Sequence, residues 1–183
     1  MTRLSDRLEE WFDRRYHIRP IGGGGYIIRL GLIRYRGRTL IFKDGTVVRR
    51  GALVGEVHVD NRLAASLHEG GKGALRYRRE VFRALPVLAG ELRARPEYRE
   101  IEMVGGPSLF WDEARLVGFE HWPISAFGRW WLAAWERFLL ARYHPAGRRR
   151  LAQGNRREIR QIWMTRATLL ERYGGGRAGR GDG

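Results

Sequence analysis

The sequence predicts an α+β fold: an N-terminal antiparallel β-meander, extended by β-α-β elements into a mixed sheet, with helices packed against it. Three observations carry this expectation. Short apolar runs between residues 25 and 60 surround an Asp44-Gly45 turn, whose two positions tolerate positive φ. A stripe at helical period follows, formed by Leu75, Val81, Phe82, Leu85, Leu88, Ala89 and Leu92. Beyond it, Gly105-Gly106-Pro107 and Gly118 punctuate a strand, a helix and a strand.

The elements follow in order. Leu4, Leu8, Trp11, Phe12 and Tyr16 predict an amphipathic helix that ends before Pro20 and packs on the sheet. Its Asp6, Glu9, Glu10 and Asp13 argue against a helix for anionic membranes. Residues 22–25, all glycine, read as a flexible connector. Strands are expected at 26–35, 39–42, 46–48 and 53–59, with Arg36-Gly37 and Asp44-Gly45 as turns. Pro86 should kink or divide the helix that carries the apolar stripe, because it has no N–H to donate.

A strand is expected at 101–104. Pro107 then sits at an early position of a helix that Gly118 closes, and a strand at 119–122 completes a β-α-β unit able to form a parallel pair. Ser125 is placed to cap a long helix to about residue 144, and 148–157 reads as a basic loop. A last strand at 159–165 and a last helix at 167–173 close the domain. Residues 1–173 thus read as one domain, and 174–183 as a disordered Gly/Arg-rich tail.

Composition narrows the function classes. The chain has 183 residues, and 43% are hydrophobic, enough for a core without staples. It contains no cysteine, which excludes disulfides, thiolate metal sites and a thiol nucleophile, and fits a reducing, cytoplasmic setting. The most apolar stretch, 124–140, is interrupted by Arg129, Glu136 and Arg137, so no transmembrane segment is expected. The first 16 residues mix acids and bases and lack the apolar region of a signal peptide.

The formal net charge is +15, which favours anionic partners. Of the 35 basic residues only Lys43 and Lys72 are lysines, a skew that genome bias explains as readily as a binding surface. Nucleic acid is therefore an admissible partner and not the favoured one.

The candidate site begins at Glu56-Val57-His58-Val59-Asp60-Asn61. Alternate side chains of a strand share a face, so Glu56, His58 and Asp60 project together, opposite Val57 and Val59. Such a face admits metal ligation, acid–base work by Glu56 and His58, or a polar binding surface. The bland alternative is a solvated face of a half-exposed sheet. No second cluster at metal spacing supports a metal site, and no motif calls for a cofactor.

His121 lies at another strand end and would converge with His58 if the two strands were neighbours. The plainer reading is a structural histidine. Val104-Gly105-Gly106-Pro107-Ser108 has the form of an anion-binding strand–helix junction, yet lacks the Lys-Ser/Thr of a P-loop, so a tight turn is the simpler reading. Trp130, Trp131 and Trp135, with Phe127, Phe138 and Leu139, read as a core helix. Arg148, Arg149 and Arg150, then Arg156, Arg157 and Arg160, form the densest positive cluster, either an anion-binding site or a solvated loop. Neither Gly-x-Ser-x-Gly nor His-Glu-x-x-His occurs.

Three stretches resemble a known family. They are Gly51-Ala52-Leu53-Val54-Gly55-Glu56-Val57-His58-Val59-Asp60-Asn61, Ala114-Arg115-Leu116-Val117-Gly118-Phe119-Glu120, and Ile162-Trp163-Met164-Thr165-Arg166 with Leu169-Leu170 and Tyr173-Gly174. The chain is similar to the YkoP-like bacterial family, whose members stand alone in spore-forming Gram-positive bacteria and whose domain also occurs fused to polysaccharide deacetylases. The resemblance implies a link to envelope-polysaccharide or glycolipid metabolism. It carries no activity, and the deacetylase motifs are absent here. It adds weight to residues 56–61 and brings in Arg166 as a candidate anion contact.

The expectation is therefore an accessory domain that binds an anionic or sugar-containing ligand near Glu56, His58, Asp60, Asn61, His121 and Arg166. An enzyme using Glu56 and His58 as acid and base, a nucleic-acid module using the basic cluster, and a peripheral membrane protein are the alternatives. The sequence says nothing of oligomeric state.

Overall fold

The computed structural model of the chain describes residues 18–60, 63, 66, 73–108, 111–124 and 160–175. The expected N-terminal helix, the helix at 125–144, the basic loop at 148–157 and all of the tail from 176 on lie outside them.

The elements run β1 (Arg19–Pro20), a 3-10 turn (Ile21–Gly23), β2 (Ile28–Arg34), β3 (Leu40–Ile41), β4 (Val47–Val48) and β5 (Leu53–Val59). Helix α1 (Gly73–Ala94) and a second 3-10 turn (Pro96–Tyr98) follow. Then come β6 (Met103–Ser108), α2 (Trp111–Leu116), β7 (Glu120–Pro123), β8 (Arg160–Thr165) and α3 (Arg166–Tyr173). Six strands make one sheet in the order β1-β2-β5-β6-β8-β7, and β5 and β6 are its parallel pair. The fold class is α+β with a mixed sheet, as the sequence predicts.

One face of the sheet receives the helices. Ile28, Leu30, Val104 and Met164 pack there against Leu85, Leu88, Ala89 and Leu92 of α1 and Leu169 of α3, all buried. The helical stripe read from the sequence is this contact. Burying a side chain of this size contributes about 1.5–3 kcal/mol, so this layer carries much of the stability.

Among the described residues, the other face is covered at one end. β3 and β4 pair with each other as a separate two-stranded sheet, so β2 meets β5 directly. Leu40, Phe42 and Val48 of this hairpin pack with Tyr35 onto Val54, Met103 and Trp163. Phe42 meets Trp122 edge-on, with ring centroids 4.8 Å apart. The hairpin tip is pinned through Lys43, whose backbone N–H donates to Glu120 at 2.9 Å, and through Asp44, which accepts from the hydroxyls of Thr165 and Thr168.

Four local expectations are corrected. Pro86 does not divide α1, which is one helix across it; that proline is exposed, so water can satisfy the carbonyl four residues earlier. Gly105, Gly106 and Pro107 do not open a helix but continue β6, and α2 starts at Trp111. A Cβ on Gly105 would overlap the carbonyl oxygen of Ile162, so glycine here serves the close approach of β6 to β8. The parallel pair does not form across α2, because β8 enters between β6 and β7; it forms across α1 instead. The glycines at 22–25 are not a slack connector: Gly22 donates to Glu91 Oε1 at 2.8 Å, and Gly24 closes a turn onto Ile21.

Candidate functional site

Strand β5 fixes the orientation of the site. Leu53, Val57 and Val59 face the helices, and Val54 faces the hairpin layer. Glu56 and His58 share the side of Val54 by the two-residue period of the strand. They lie past the region that the β3–β4 hairpin covers. His58 Nε2 is 3.0 Å from Glu56 Oε2, with side-chain exposures of 35% and 25% respectively. The contact is open enough to be reached and closed enough to be held in place.

The neighbours in register shape this face. Gly31 lies opposite Glu56 on β2 and Gly105 beside it on β6. Two glycines therefore flank Glu56, and the floor around the carboxylate is low. Arg29 stands opposite His58, so a cation shares the face. Trp163 lies beyond Gly105 and is buried, with its indole N–H directed to Gln161 Oε1 at 3.4 Å.

The parallel ladder stops at this point. β5 continues to Val59 and β6 to Ser108, but their described pairing covers only Val54–Glu56 with Met103–Gly105. Pro107 has no N–H with which to extend it. Glu56 is thus the last residue of β5 in the described parallel pairing, and His58 lies beyond it.

Asp60 and Arg166 have local roles. Asp60 Oδ1 accepts from the backbone N–H of Leu63 at 3.0 Å, the geometry of a helix N-cap. Arg166 donates to the carbonyls of Tyr98 and Leu92 at 2.8 and 2.7 Å, which ties the end of α1 and the following turn to the start of α3. Burial lowers the pKa of its guanidinium. That use lies on the helix side, away from Glu56 and His58. Asn61 and the arginines at 148, 149, 150, 156 and 157 fall outside the described residues.

His121 does not converge with His58. β6 and β8 separate their strands, and His121 pairs in register with Ile162, which packs on the helix side. His121 Nδ1 lies 3.1 Å from Arg160 Nη1. Burial lowers its pKa first, and the charges of Arg160 and Arg115 lower it further. Among the described residues no group of three His, Asp or Glu side chains is placed to hold a metal ion. Among them, too, no helix is long and apolar enough to cross a membrane.

Sequence reasoning missed the Asp44–Thr165–Thr168 cluster. A depression of about 660 Å³ opens beside it, lined by Lys43, Asp112, Arg115, Glu120 and Arg172 over Phe119 and Met164. The Asp44-Gly45 turn was visible, but nothing local pairs it with a threonine 121 residues away.

No curated protein and no solved structure matches the chain. The YkoP domain matches residues 1–173, which include every described strand and helix. The chain therefore belongs to the YkoP domain family.

Proposed function

We propose that this domain binds a hydroxyl-rich, sugar-containing ligand carrying an anionic group, and that Glu56 and His58 make the polar contacts. The observation that carries this reading is the position of the pair. It stands partly exposed where the described parallel pairing ends, with glycines flanking Glu56 and Arg29 opposite His58.

The chemistry suits such a ligand. A carboxylate accepts hydrogen bonds from vicinal hydroxyls, and an imidazole can donate or accept. Arg29, in register with His58, supplies positive charge for a phosphate or carboxylate on the same ligand. The resemblance to domains fused to polysaccharide deacetylases points to the same substrate class, envelope polysaccharide or glycolipid.

The test is calorimetric titration of the full chain with nucleotide sugars, soluble glycans and glycolipid headgroups. Saturable binding that Glu56→Gln and His58→Ala both weaken supports the reading. Absence of binding across that panel, or binding indifferent to both substitutions, rejects it.

A second reading has one specific observation behind it. The 3.0 Å contact is the distance at which a carboxylate orients an imidazole for proton transfer. On that reading His58 acts as the base and Glu56 holds it. Turnover of any ligand found above, abolished by His58→Ala with binding retained, would establish it.

A further inference from the structure

The β3–β4 hairpin buries one side and shows another. Its pair Leu40 and Val48 faces the sheet and is buried. Its other pair, Ile41 and Val47, faces outward, with 70% and 39% of their surface exposed. These are two of the four large hydrophobic side chains that the described surface exposes. A cross-strand aliphatic pair turned to solvent steadies the hairpin, but this one joins neither core cluster.

Arginines border this pair at the base of the hairpin. Arg34, Arg36 and Arg38 lie on the approach to β3, and Arg49 and Arg50 on the exit from β4; all five are exposed. The backbone holds the two groups together: Tyr35 N–H donates to Ala52, and Gly51 N–H donates to Tyr35, at 2.9 and 2.8 Å. Arg34, Arg49 and Arg50 line one open depression with Val47. Glu100 and Glu102 also line it, so the arginines outnumber the acids. Arg34 Nη1 reaches the Gly51 carbonyl at 3.2 Å, and among the described residues Arg36, Arg38, Arg49 and Arg50 form no ion pair.

We propose that this hairpin is a docking surface for an anionic lipid membrane. Ile41 and Val47 enter the boundary between headgroups and acyl chains. The five arginines meet the lipid phosphates around them. A purely electrostatic surface for a soluble polyanion has no need of exposed aliphatics at its centre. A purely apolar protein contact has no need of five arginines at its rim. The combination of a small apolar wedge with a cationic border is what an acidic bilayer surface rewards. None of its residues belongs to the Glu56–His58 site.

The experiment is flotation of the full chain with vesicles of phosphatidylcholine, with and without phosphatidylglycerol. Two double variants are compared: Ile41→Ser with Val47→Ser, and Arg49→Gln with Arg50→Gln. All four positions are exposed, so both variants should fold, and a urea midpoint checks that they do. The expected result is binding to the phosphatidylglycerol vesicles only, weakened by salt, with each double variant losing about tenfold in partition. Failure to float with acidic vesicles overturns the proposal. So does binding lost on neutralising Arg148, Arg149 and Arg150 but kept by both hairpin variants. So does binding that the serine variant retains in full and short duplex DNA competes away, which would make the surface a soluble-polyanion site.

Discussion

The hydroxyl of Thr165 donates to the carboxylate of Asp44 across 121 residues of sequence. The same carboxylate oxygen accepts from Thr168, and Thr165 Oγ1 in turn accepts the Thr168 backbone N–H at 3.0 Å. One acidic side chain thereby joins a hairpin tip to the N-cap of the last helix. Removing the cap hydroxyl by Thr165→Ala should lower the unfolding free energy by about 1–2 kcal/mol. Asp44→Ala should cost a similar amount, and the double variant less than the sum, because the two residues act on one junction. Urea titration of the three variants decides this; strict additivity would mean that the junction is not a unit.

The same cluster sets a pH dependence. Burial acts to raise the pKa of Asp44, but the bonds from Thr165, Thr46 and Thr168 outweigh it and hold the value below the ordinary one. A carboxyl depressed in the folded state adds stability above its unfolded pKa, and that contribution is lost as pH falls through the folded value. The stability difference between parent and Asp44→Asn should therefore be full at neutral pH and shrink below about pH 4. A difference that stays constant from pH 7 to about pH 2.5 would show that Asp44 works only as a neutral acceptor.

Much of this fold was legible because its signals are local. The strand at residues 53–59 and the close of α2 at Gly118 follow from alternation and from one glycine at positive φ. The shared face of Glu56 and His58 followed from strand period alone. What the sequence did not show was order in the sheet. β8 lies between β6 and β7, and no local pattern encodes that insertion. For the same reason the sequence misplaced the parallel pair and left open whether His121 meets His58, with a structural histidine as the plainer reading. The fate of Gly105 was hidden likewise, since a glycine chosen for a tight approach to β8 looks the same as one chosen for a turn.

Gly105→Ala tests that point. The added methyl would meet the backbone of Ile162, which cannot rotate away as a flexible side chain can. β6 and β8 would have to separate at the centre of the sheet. The expected loss is about 3 kcal/mol or more. Gly106→Ala is the control: its φ of +159° carries the same backbone strain as the +151° of Gly105, but its nearest neighbour would be Glu56 Cγ at 3.6 Å, an ordinary contact, so only the clash with Ile162 differs. If the two variants unfold at the same urea concentration, the close approach does not dictate Gly105.

Arg166→Lys should be destabilising although charge is kept. The guanidinium donates to two carbonyls on separate turns, Leu92 and Tyr98, and a single ammonium cannot reproduce that fork. Leaving half-buried carbonyls without a donor costs about 1–3 kcal/mol. The loss should vary little between low and high salt, because neither partner is an ion. A Lys variant as stable as the parent would free Arg166 for the anion contact that the family resemblance suggested.

Glu56→Gln and His58→Ala should behave in the opposite way. Both side chains are partly exposed, their contact is with each other, and the glycines on either side of Glu56 leave it little cross-strand packing to lose. An exposed pair of this kind is worth about 0–1 kcal/mol, and polar clusters kept for binding often hold a protein below its best stability. Each variant should therefore unfold within about 0.5 kcal/mol of the parent or be slightly more stable. Urea titration measures this without knowledge of the ligand. A loss above about 2 kcal/mol in either variant would mark the residue as a structural partner in the sheet and remove the basis for a site there. Retained stability together with lost ligand affinity separates a binding role from a scaffolding one, since scaffolding residues move both quantities at once.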